Sequence, residues 1–100
     1  MIGEGVGIMQ VRGIVQRAEL VENPPGSDRI EMVLWGQGVG PNKPRSIVVP
    51  YELLLQDPSL DPDQVHGHGF EARIEQDDNG RWVVIEIGFA TGRVLRSAND

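Results

Sequence analysis

Between residues 65 and 89, apolar and polar positions alternate in two runs separated by Asn79-Gly80. Alternation of period two predicts strands with one face inward, and Asn-Gly between two such runs predicts a two-residue type I′ hairpin turn. That turn sets Asp78 opposite Arg81, Arg73 opposite Glu86, Ile74 opposite Ile85, Ala72 opposite Ile87 and Phe70 opposite Phe89. Opposite charges then meet on one face and apolar side chains on the other, as cross-strand pairing requires.

The rest of the chain supplies three further strands. Ile8 to Glu22 reads as a long first strand whose apolar parity changes between Val11/Val15 and Ala18/Leu20. Such a phase change implies a bulge or bend, and Gly13 is the residue expected to permit it. The run Asn23-Pro24-Pro25-Gly26-Ser27 is a loop. Arg29 to Gln37 forms the second strand, residues 36–44 a glycine-rich loop, and Arg45 to Val49 a short, nearly apolar third strand. Pro50 opens a short helix from Tyr51 to Gln56, whose Leu53, Leu54 and Leu55 would plug one barrel end. Residues 59–64 read as an irregular acidic connector, and Val94-Leu95 as a brief extension of pairing.

Three strands, a short helix and a hairpin, in that order, predict an all-β, five-stranded Greek-key barrel of the OB type. Residues 8–96 would form this one domain, with 1–7 a flexible lead and 97–100 a frayed tail. Gly3, Gly5 and Gly7 alternate as in a phosphate loop, but no strand precedes them and no Lys-Ser/Thr follows.

The segment Arg45-Ser-Ile-Val-Val-Pro-Tyr-Glu-Leu-Leu resembles the third strand and following helix of bacterial single-stranded DNA-binding proteins. The hairpin is similar to theirs at Gly69, Asp77, Gly80, Arg81-Trp82 and Glu86-Ile87. The resemblance covers roughly residues 9–89 by pattern. It departs at Pro44 and at Ile74-Glu75, where that family usually carries aromatic residues. It implies an OB fold and, as a leading ligand, single-stranded nucleic acid, with Trp82 and Tyr51 at positions like that family's aromatics.

Composition changes this picture in two ways. The 100 residues suffice for one modest core, and the absence of cysteine excludes disulfides and thiolate chemistry. The net charge of −6 is carried by the second half, which disfavours non-specific attraction to phosphate. No apolar run is long enough to cross a bilayer, and the N-terminus lacks the pattern of an export signal, so a cytoplasmic protein is expected.

A single-strand binder needs exposed rings and cations, since each stacked base is worth about 1–3 kcal/mol. With Phe70 and Phe89 turned inward, the rings are Trp35, Tyr51 and Trp82, and the cations Arg12, Arg17, Lys43 and Arg45. The alternative is a protein-interaction or oligomerisation surface on the outer hairpin face. There Trp82 and Val84 would be rimmed by Glu71, Glu75 and Glu86, suiting a basic partner or a second copy. His66 and His68, with Asp61 or Asp63, lack a firm third ligand, so no metal or other cofactor is expected. No serine sits in a nucleophile-elbow context and no carboxylate pair has an evident pocket, so a non-enzymatic role is expected.

Overall fold

The computed structural model describes residues 8–38 and 44–96. The glycine lead, most of the glycine-rich loop with Lys43, and the tail at 97–100 lie outside the described residues. The chain runs β1 (Ile8–Glu22), β2 (Ile30–Gly38), β3 (Ser46–Val49), α1 (Tyr51–Leu54), α2 (Pro62–Val65), β4 (Gly69–Gln76), β5 (Trp82–Phe89) and β6 (Val94–Arg96). The sheet order is β3-β2-β1-β4-β5-β6, and a parallel bridge between Val48 and Val83 joins β3 to β5. That bridge closes five strands into the all-β, OB-like barrel that the sequence predicts, and β6 lies outside the closed ring.

Closure depends on β1, which pairs with β4 over Ile8–Ile14 and with β2 over Gly13–Glu22. The bend is at Gln16, not Gly13. Val15 pairs with Gly36 and Arg17 with Trp35, so Gln16 is the extra residue of a bulge. Before it, Val11 and Val15 point inward; after it, Ala18 packs on the core while Arg17 and Glu19 point outward. Gly36 is required where β2 crosses this bend. A Cβ there would lie 2.7 Å from the Ile14 carbonyl oxygen and 3.2 Å from the Phe70 ring.

The β4–β5 hairpin forms with a different turn. Asp77 N–H donates to the Arg81 carbonyl and Gly80 N–H to the Asp77 carbonyl, leaving a three-residue loop of Asp78, Asn79 and Gly80. Gly80 has a φ of +83°, and the Asp77 carboxylate accepts from the N–H groups of Asn79 and Arg81 at 2.9 and 2.8 Å. The extra loop residue shifts the pairs nearest the turn, so Ile74 faces Val84 and Gln76 faces Trp82. A bulge between Arg73 and Ile74 absorbs the shift at Ile85, and Arg73–Glu86, Ala72–Ile87 and Phe70–Phe89 pair as expected. The expected Asp78–Arg81 and Ile74–Ile85 pairs are therefore replaced. The β5–β6 turn repeats the design, with Phe89 N–H donating to the Arg93 carbonyl and Gly92 at a φ of +101°.

The core runs continuously from Val11, Val15, Met32 and Leu34 through Ile47, Val49, Ile74, Val84 and Ile87 to Leu95. Of the three leucines after Pro50, Leu53 is buried, Leu54 partly packs on the core and Leu55 is exposed. The residues expected as an irregular connector hold a second helix, α2. Asp61 caps its N-terminus and forms a capping box with Gln64, Pro62 opens it, and its Val65 is fully buried beside β1.

Candidate functional site

The strand pairings decide which predicted site residues share a face. Leu34 points inward, so its neighbour Trp35 points outward, beside Arg17 of β1 and Ser46 of β3. The Arg17 guanidinium lies over the Trp35 ring at 4.5 Å from its centroid. Arg17 also ion-pairs with Glu19, their side chains 61% and 43% exposed. Trp35 and Arg17 thus form one unit on the outer face of β1–β2.

The other predicted residues do not join it. Tyr51 sits on α1, where Arg29 lies over its ring at 5.1 Å and bonds Glu52 next to it. That guanidinium holds the Glu52 carboxyl below the usual carboxylate range. Trp82 is on the core-facing side of β5, two residues before buried Val84, and packs against the core cluster. Arg45 is exposed and lines a small cavity at the barrel end with Val11, Leu34, Gly36, Ile47 and Phe70. Arg12 is exposed on the outer face of β1, opposite Glu71 of β4.

The patch expected around Trp82 and Val84 does not exist. Val84 is buried, and both residues point away from the face that carries Glu71, Glu75 and Glu86. The cause is the one-residue shift at Ile85, because side chains alternate faces with period two. Glu71 and Glu75 are exposed. Glu86 instead accepts from Arg73 Nε at 3.1 Å and from Arg96 at 2.6 Å, and Arg96 first, then Arg73, holds its carboxyl low.

Two features escaped the sequence reading. One is an ion-pair strap: Arg81 donates to Glu31 at 3.0 Å and to Asp77 at 3.0 Å. Glu31 is on β2 and Arg81 precedes β5, so the bond crosses the outside of β3, the strand between them. The other is a groove of about 730 Å³ on the outer face of β1–β4–β5–β6. Among the described residues no three of His, Cys, Asp or Glu come together as a metal site would need.

No protein-family model, curated protein or solved structure matches this chain.

Proposed function

We propose that the chain is a non-enzymatic OB-type binding module whose leading ligand is single-stranded nucleic acid, held on the outer face of β2 by Trp35 and Arg17. The supporting observation is the guanidinium stacked on Trp35, an outward ring with a cation beside it on the second strand. The second and third strands carry the oligonucleotide face of OB barrels. The resemblance to single-stranded DNA-binding proteins in β3 and the hairpin points the same way.

Magnitudes favour exchange at this ring. An exposed cation–π contact is worth about 0.5–1 kcal/mol, and an exposed ion pair such as Arg17–Glu19 about 0–1 kcal/mol. A stacked base is worth about 1–3 kcal/mol, so a base can take the ring while Arg17 turns to a phosphate. One ring and few cations make this a weak, salt-sensitive contact.

The test is tryptophan fluorescence during titration with oligothymidylate at low and moderate salt. Quenching that weakens with salt, disappears in Trp35→Phe and declines in Arg17→Glu is the expected result. Silence at low salt, or quenching that survives Trp35→Phe, removes the proposal.

A further inference from the structure

The groove across β1–β4–β5–β6 lies apart from the Trp35 face and has its own chemistry. Its registers place Arg12, Glu71, Gly88 and Val94 in one row, and Gln10, Arg73, Glu86 and Arg96 in the next. Ile14 and Gly69 pair beyond the first row, and Ala90 N–H donates to the Gly69 carbonyl. Ile14 and Val94 are 54% and 58% exposed, so two large apolar side chains flank a floor of Gly69, Gly88 and Ala90.

The bare floor is not imposed by packing. A Cβ on Gly69 would meet nothing nearer than 3.7 Å, and one on Gly88 would meet Val94 Cγ2 at an ordinary 3.7 Å. Neither glycine has a positive φ. Their effect is to leave the space open.

Charge distinguishes this space from the rest of the molecule. Three arginines (12, 73 and 96) and two glutamates (71 and 86) line it, a balance of +1 on a chain of net −6. Glu86 is engaged by Arg73 and Arg96, whereas the Arg12 guanidinium has no ion-pair partner among the described residues. The only rings lining the groove, Phe70 and Phe89, are 8% and 5% exposed and offer no stacking platform.

We propose that this groove binds a short acidic peptide segment of a partner protein, an apolar side chain resting between Ile14 and Val94 and a neighbouring carboxylate on Arg12. Four strands at about 4.8 Å spacing give a width of about 14 Å, which about four extended residues span. Charge complementarity selects the acidic peptide: Arg12 offers bidentate geometry to a carboxylate. A nucleic-acid strand would find no exposed ring there on which to stack a base.

The test is amide chemical-shift mapping of the isotope-labelled full chain. The probes are a blocked peptide alternating leucine and aspartate, its leucine–lysine counterpart, and oligothymidylate. The expected result is movement of the Ile14, Gly69, Gly88 and Val94 amides with the acidic peptide. Arg12→Glu should weaken that binding at least about tenfold, and the leucine–lysine peptide should bind weaker by a similar factor. Gly88→Val, which fills the floor, should also weaken it while leaving the remaining spectrum in place. The proposal is overturned by shifts confined elsewhere, by equal binding of the basic peptide, by no shifts at millimolar peptide, or by oligothymidylate moving the same amides.

Discussion

Arg81 and Glu31, fifty positions apart, meet at 3.0 Å across the outside of β3, at the seam where the barrel closes. The direct β3–β5 pairing there is a single bridge, Val48 to Val83. Glu31 also accepts from the Asn23 side chain, and its own side chain is only 11% exposed. Removing Arg81 leaves that carboxylate poorly solvated. Arg81→Ala should therefore cost about 1–3 kcal/mol in urea unfolding, the usual penalty for stranding a partly buried polar group. Arg81→Ala and Glu31→Gln together should cost less than the sum of the two, and strict additivity would show that the strap carries no coupling.

Acid should weaken the fold through a defined set of carboxylates. Arg81 holds Asp77 below its ordinary value of 3.8, the bonds from Ser59 and then Arg93 do the same for Asp57, and Arg96 holds Glu86 below 4.5. Because folded values lie below unfolded ones, the stabilisation is complete above the ordinary values and is lost as pH falls through the lowered ones. Unfolding midpoints should stay level from neutral pH to about 5 and then fall. In Asp77→Asn the decline should be shallower, and an unchanged slope would remove Asp77 from the account.

Glycines divide into required and permissive positions. Gly36→Ala places a methyl 2.7 Å from the Ile14 carbonyl oxygen, so β1 and β2 must separate. The expected cost is about 1–3 kcal/mol or more, as for other overpacked sites. Gly88→Ala should change the unfolding midpoint little, since its Cβ meets only ordinary contacts. Equal losses at the two positions would contradict this geometry.

The Asp61 cap gives a further check. Its carboxylate accepts from Asp63 N–H at 2.9 Å and from Gln64 N–H at 3.3 Å, fixing the turn that delivers Val65 to the core. Asp61→Ala should cost about 1 kcal/mol, within the range of other lost N-caps. Thermal unfolding with protection of the Gln64 and His66 amides would measure it.

The sequence made much of the barrel legible because alternation and charge agreed. Arg73–Glu86, Ala72–Ile87 and Phe70–Phe89 follow from opposite charges on one side and apolar pairs on the other. The turn is not fixed by its residues, because Asn79-Gly80 suits both a two-residue loop and a three-residue loop ending in a left-handed glycine. The Asp77 carboxylate, bonded to two loop amides, favours the longer loop, and the Asp-x-x-Gly spacing was its trace. From that one residue came the wrong side for Trp82 and Val84. The second helix was readable too, since Asp61-Pro62 with Gln64 is a capping signature that the surrounding acids obscured. The groove was not readable, because it arises from glycines on separate strands brought level by register.

The bulge at Gln16 also limits how this chain can change. It lets a single strand face outward with even-numbered residues, Arg12 and Ile14, before Gln16 and with odd-numbered ones, Arg17 and Glu19, after it. Without the bulge, Gln16 would take a paired position, driving Arg17 and Glu19 into the interior and expelling Ala18. Substitutions at the exposed positions of β1 leave this phase untouched, whereas an added residue that pairs in the ladder reverses it for the rest of the strand.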